Sequence, residues 1–311
     1  MKISKLFLAV CVLAGLSLAG YLLSLMPAKP VEGQLQIEVI SSVLPKAEKA
    51  LPAPGLTGSL LLVNAENPLA EDYVPQSLVS LYTMPGRTYA LALNDLLMQS
   101  EAAQALTDML AQAAQEGHTE LIVQSAYRDF AAQGQLYATA MPEGESARSA
   151  GSPADTQPAG ASEHQTGLCV DIQMNGGDLA SFGETPAAQW LAESCTKYGF
   201  IVRYTEGKES QTGIVAEPWH LRYVGELHAR LMEQKKLCLE EYTAYLQKNH
   251  ALRVTLPGQP PMLLHTVPEK EAPQEAEGDS APPQTLPDIP DMTISHNNAG
   301  GYVLVYPEPK K

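Results

Sequence analysis

Apolar positions recur along this 311-residue chain in two periods, and the change from one to the other marks its elements. In "NDLLMQSEAAQALTDMLAQAAQEG", starting at Asn94, residues 96, 97, 106, 109 and 110 are apolar. With Asn94 as N-cap and Gly117 as terminator, this pattern predicts a helix. "GSLLLVN" (58–64), "ELIVQSAYRDF", "GLCVDIQM", "FIVRY" and "WHLRYVG" predict short strands, and "FAAQGQLYATAM" a helix. "TPAAQWLAESCTKYGF" predicts a helix with Pro186 in its first turn and Gly199 at its end. "GELHARLMEQKKLCLEEYTAYLQ" reads as one or two helices. Beyond His250, "RVTLPGQPPMLLHTV" and "TISHNNAGGYVLVYP" read as strands around an acidic, Pro-rich segment at 268–290. A few strands among irregularly spaced helices predict an α+β class, not regular βαβ winding.

Composition divides the chain into four segments. Residues 6–26 carry no charge and follow a start with two lysines. At about 1.5 Å per residue such a helix crosses a hydrocarbon core of roughly 30 Å. Lysines on the leading side put the remainder outside the cytoplasm. Residues 1–26 are therefore expected to be a single-pass membrane anchor, with a cleaved signal sequence and a secreted product as the alternative. Residues 27–57 read as a stalk, 58–250 as the working domain, and 251–311 as a C-terminal segment with a small β appendage. Residues 142–161 are rich in Pro, Gly, Ser and Ala and read as a loop. A net charge of −15 excludes a nucleic-acid partner, which needs a basic face. No obligate protein partner is evident. Beyond Cys11 stand Cys169, Cys195 and Cys238, an odd number that makes no disulfide framework. A Cys195–Cys238 pair stays open, and at least one buried free thiol is expected.

Three stretches carry the candidate chemistry. In "SEHQTGLCVD" (162–171), strand alternation puts Leu168, Val170 and Ile172 on one face and Cys169, Asp171 and Gln173 on the other. His164 lies close enough in sequence to turn back toward Asp171. Taken alone, this stretch is better explained by a surface histidine and an aspartate at a strand's start held by loop amides. "EPWHLRYVG" (217–225) adds Glu217 three residues before His220, and Pro218 keeps Glu217 out of any helix interior. Two histidines and a carboxylate, with an open fourth position, form an ordinary catalytic zinc set. A further carboxylate then serves as general base. Glu217 is the candidate, and Glu163 the weaker one. "SAYRDFAAQGQLY" (125–137) delivers Arg128 at a strand's edge and Gln133 on the next helix. A guanidinium fork suits a carboxylate or a developing oxyanion.

Taken in order, "SAYRDFAAQ", "SEHQTGLCVD" and "EPWHLRYVG" resemble the M15 family of zinc peptidases, specifically its VanY-like D-alanyl-D-alanine carboxypeptidases. The resemblance covers roughly 58–245 and implies a compact α+β domain, of the hedgehog/DD-peptidase type, with a small antiparallel sheet. It implies one Zn2+ per chain held by His164, Asp171 and His220, with Glu217 as base and Arg128 near the reacting carbonyl or the substrate carboxylate. Gln133 and Ser162 would line the pocket. The implied substrates are peptidoglycan stem peptides ending in D-Ala, shortened by one residue. Position 169 is small in the family pattern and Cys here, which suggests a thiol packed beneath the site.

Other readings are an L,D-carboxypeptidase acting on tetrapeptide stems and a non-catalytic zinc-containing module that binds wall peptides. "SCTK" (194–197) and "SHN" (295–297) superficially match a penicillin-binding serine peptidase, but no Lys-Thr-Gly strand completes that set.

Overall fold

A computed structural model describes residues 34–41, 44, 50–52, 55–140, 156–269 and 285–309. The expected membrane segment 1–26 lies outside the described residues, as do most of the stalk, 142–155 of the loop and 270–284 of the acidic segment. Among the described residues no helix is long and apolar enough to cross a membrane.

The fold is α+β and is organised by two five-stranded sheets. The first contains β4 (Ala90–Leu91), β6 (Leu121–Ser125), β7 (Cys169–Met174), β8 (Phe200–Tyr204) and β9 (Glu217–Tyr223). Their order is β4-β6-β7-β9-β8, antiparallel except for the β4–β6 edge. The second sheet runs β1 (Gln36–Val39), β10 (Ala251–Thr255), β11 (Met262–Pro268), β14 (Gly301–Pro307) and β13 (Thr293–His296), all antiparallel. Two small pairs complete the strands, β2 (Ala50–Pro52) with β12 (Thr285–Pro287), and β3 (Leu78–Ser80) with β5 (Leu97–Gln99). Residues 36–39, within the segment read as a stalk, thus form an edge strand of the second sheet.

Helix α1 (Ser100–Gln115) covers one face of the first sheet. Its Ala102, Ala103, Leu106, Met109, Leu110 and Ala113 join Leu121, Val123, Val170, Ile172 and Leu221 in one core. Burying each large apolar side chain there stabilises the fold by about 1.5–3 kcal/mol. The helix starts later than the Asn94 expectation because residues 97–99 are taken by β5, where Gln99 stands opposite Leu78. Helix α2 (Phe130–Ala140) follows β6, and α3 (Pro186–Ser194) is capped by Thr185, whose hydroxyl accepts from Ala188 N. Two further helices, α4 (Glu226–Lys235) and α5 (Leu239–Asn249), pack on the second sheet, where Leu231, Tyr242 and Leu246 meet Leu252, Leu264 and Val303.

The stretch 58–64 is not a strand. Its leucines are buried, but its backbone bonds go to other groups: Ser59 O and Leu61 O accept from Arg222, and Leu62 N donates to Asn297 O. Cys195 and Cys238 are both free and buried, so no disulfide joins them.

Candidate active site

Strand register assembles the site. Across the first sheet Ser125 stands beside Asp171, and Asp171 beside His220, one row over three strands. Paired residues share a face, so the row lies on the face opposite the apolar core. One step along, Cys169 pairs with Arg222, and Arg222 with Ile201. His164 enters from the short turn Glu163–Thr166, which Gly167 ends at φ +67°, a conformation that favours glycine.

The distances among these groups are those of ligands around one ion. His164 Nε2 lies 3.2 Å from Asp171 Oδ2, and His220 Nδ1 lies 2.9 Å from Asp171 Oδ1. A tetrahedron with zinc–ligand bonds of about 2.0–2.1 Å has edges of roughly 3.3 Å. His164 Nδ1 faces Ala126 O at 2.6 Å, a hydrogen bond that leaves Nε2 to the ion. His164, Cys169 and His220 also place one potential ligand atom each within 4.8 Å of one another. Glu217 Oε2 stands 3.8 Å from His220 Nδ1, at the rim of the cluster.

The electrostatics match this geometry. Burial disfavours charge on His164, yet the Cys169 thiol and the Asp171 carboxylate hold its imidazole up at about 10. Burial likewise raises the Asp171 carboxyl, but the two histidines overcome it and keep the acid well below the usual carboxylate range. The Cys169 thiol, pushed up by burial, is brought down to about 7 by His164 and His220. Such a site attracts cationic charge, and its nitrogen and oxygen donors fit zinc.

Arg128 sits at the end of the strand–helix turn that the sequence predicts. Its Nη2 donates to Ser125 Oγ at 2.9 Å and its Nη1 to Gln133 Oε1 at 2.6 Å, while its backbone N–H donates to His164 O. Both side-chain partners are neutral, and Arg128 belongs to none of the ion pairs among the described residues. Gln133 is buried, and its Nε2 donates to Gln157 O. Arg128, Gln133, Ser162, His164, Asp171, Glu217 and His220 all line one open cleft of about 540 Å³. Thus the sequence-read residues converge.

Glu163 has a different environment from the one expected of a base. It is fully buried, with Oε1 accepting from Arg203 Nε at 2.8 Å and from Arg222 Nη1 at 2.7 Å. These two arginines were not anticipated, nor was Tyr204, whose ring lies 5.1 Å from that of His220. The signal was present in "FIVRY" and "WHLRYVG", because an arginine inside an apolar strand requires a buried counter-charge. The serines of the alternative peptidase pattern have structural settings: Ser194 ends α3, and Ser295 Oγ accepts from Leu60 N.

The family description for VanY, D-alanyl-D-alanine carboxypeptidase, matches residues 95–226. The chain is 36% identical over 204 residues to a D-alanyl-D-alanine carboxypeptidase of Enterococcus faecium, covering 65% of this chain and 63% of that relative's length. It is 38% identical over 195 residues to the putative carboxypeptidase YodJ of Bacillus subtilis, covering 61% of this chain and 68% of YodJ. The fold is similar to that of the vancomycin-resistance D,D-dipeptidase VanXYg, solved with a D-Ala-D-Ala phosphinate analogue. The TM-score is 0.65 at 26% identity, over 80% of this chain and 93% of that one. It is also similar to the LdcB LD-carboxypeptidase, with a TM-score of 0.52 at 34% identity, over 59% of this chain and 84% of that one. Motif order, cleft and relatives agree, and the chain belongs to the VanY-like M15 peptidase family.

Proposed function

We propose that this protein is a zinc D,D-carboxypeptidase that removes the terminal D-alanine from peptidoglycan stem peptides. The observation that carries the reading is the joint placement of His164, Asp171, His220, Glu217 and Arg128 on one cleft. One zinc ion, held by His164 Nε2, Asp171 and His220 Nδ1, would supply Lewis acidity to the scissile carbonyl and acidify water. Glu217 takes the proton from the attacking water, whose oxygen bonds to the carbonyl carbon. As the C–N bond breaks, Glu217 returns that proton to the leaving amine. Arg128, oriented by Ser125 and Gln133, meets the negative charge on the substrate, either its terminal carboxylate or the developing oxyanion. Gln133 and Ser162 shape the wall beside it, and Leu136, Ile214, Val215 and Trp219 give the cleft an apolar side suited to small methyl groups.

The name of the Enterococcus faecium relative and the D-Ala-D-Ala analogue bound to VanXYg support this substrate. An extracytoplasmic location, with residues 1–26 as membrane anchor, belongs to the same proposal and rests on the charge-free run behind two lysines. Replacing Glu217 by Gln separates catalysis from binding. Hydrolysis is expected to fall by roughly 10²–10⁴-fold, while the zinc content by elemental analysis stays at one per chain. Retained hydrolysis would remove Glu217 from the mechanism.

A further inference from the structure

Glu163 holds its neighbours in an arrangement that a general base would not need. Its Oε1 is occupied by Arg203 and Arg222, and the side chains of all three residues have no exposed surface. The other oxygen, Oε2, and His220 Nε2 are both buried without a hydrogen-bond partner, and they lie 3.6 Å apart, just beyond hydrogen-bond reach. Buried polar atoms left unsatisfied are costly, and a slight approach of these two would pair an acceptor with an N–H donor. The opposite edge of the same ring presents Nδ1 to Asp171 Oδ1 at 2.9 Å. An imidazole that holds a metal through Nδ1 carries its proton on Nε2, and that proton then needs an acceptor.

We propose that Glu163 is a positioning residue. Its Oε2 takes the Nε2–H of His220, leaving the Nδ1 lone pair for the metal, while Arg203 and Arg222 hold the carboxylate in place. The proposal rests on the zinc peptidase reading above. It also extends the site outward. Arg203 donates to both oxygens of Glu240 on α5, through Nη1 at 2.9 Å and Nη2 at 2.6 Å. Arg222 Nη2 is tied to the carbonyls of Ser59 and Leu61. Two segments far from the cleft therefore help to aim one ligand.

Glu163→Gln inverts the contact with little change of shape. Both arginines are donors, so the amide oxygen stays with them and the NH2 group faces His220 Nε2. That nitrogen must then accept, and the ring proton moves to Nδ1, where it opposes the ion. Chelator competition is expected to show a loss of zinc affinity of roughly 10–100-fold. ¹H–¹⁵N NMR of the zinc-loaded protein is expected to show a downfield His220 Nε2–H, as a charge-assisted hydrogen bond gives, in the wild type and to lose that shift in the variant. If Glu163 only neutralised the arginines, the variant would melt earlier with unchanged zinc affinity and an unchanged Nε2–H signal, and that result would overturn the proposal. Should E163Q fail to fold, the wild type decides alone, since a zinc-loaded His220 Nε2–H without the downfield shift contradicts the assignment. Wild-type protein that bound no zinc would count against the functional reading, whereas zinc-loaded protein with an ordinary Nε2–H signal would count against Glu163 alone.

Discussion

The two five-stranded sheets bury their faces with different chemistry. In the second, the face under α4 and α5 is apolar, with Leu252, Val254, Leu264, Val303 and Val305, and on the other Tyr302, Leu304 and Ile294 pack beside His265 and His296, whose rings lie against Tyr306 and Tyr302. In the first, only the face under α1 is apolar, and the other buries Glu163, His164, Asp171, Arg203, His220 and Arg222. Buried charges rarely add net stability compared with apolar residues of similar volume. The second sheet shows that the chain can build an ordinary core from strands of similar length. The charged face is therefore the place where stability is exchanged for a site, consistent with the expectation that fold rules are broken where function is located.

That contrast can be broken in order of effect. His164→Ala removes an imidazole that touches both Asp171 and the Ala126 carbonyl, and it is expected to abolish both zinc binding and hydrolysis, read by metal analysis and peptide assay. A variant that kept its zinc would dissolve the ligand assignment. In the second region the test is stability, not chemistry. His228 on α4 is buried, hydrogen-bonded through Nδ1 to the Tyr242 hydroxyl at 2.7 Å, and burial pushes its imidazole down to about 4. The unfolded imidazole takes a proton near its ordinary value of about 6.5, and the folded one only near 4. Between those values the unfolded state binds more protons, so stability falls as pH drops through this window and is fully present above it. Linkage puts the loss on the order of 3 kcal/mol by its lower end. Urea midpoints measured across the window should show that slope in the wild type and lose it in His228→Gln; equal slopes would exclude His228 as the source.

The smallest effect is expected at Cys169. Its thiol lies among the ligands, sharing a strand face with Asp171 and approaching both histidines. Asp171 already makes the two close contacts that zinc geometry demands. Cys169→Ala is expected to keep zinc and activity. Zinc loss in this variant would make the thiol a ligand and reassign Asp171.

Much of the site was legible because it depends on local rules. Alternation along "GLCVDIQM" put Cys169 and Asp171 on one face, and β7 bears that out. Pro218 kept Glu217 extended, and it opens β9. What escaped was non-local. The partnership of Glu163 with Arg203 and Arg222 joins residues 40 and 59 positions apart, and no periodicity reports such a pairing. The strand at 36–39 was hidden for the same reason, since its partner β10 lies more than two hundred residues later. The apolar run 58–64 satisfied a strand pattern, but its carbonyls were claimed by Arg222, a side chain that sequence spacing could not place beside it.

The central claim is tested most directly by incubating the zinc-loaded protein with defined muropeptides bearing tri-, tetra- and pentapeptide stems and following their masses. Loss of one alanine from the pentapeptide, with the tripeptide and tetrapeptide intact, is the result expected of a D,D-carboxypeptidase. Shortening of the tetrapeptide alone would shift the activity to the L,D class. No change of mass in any of the three would contradict the assignment of this cleft as a carboxypeptidase site.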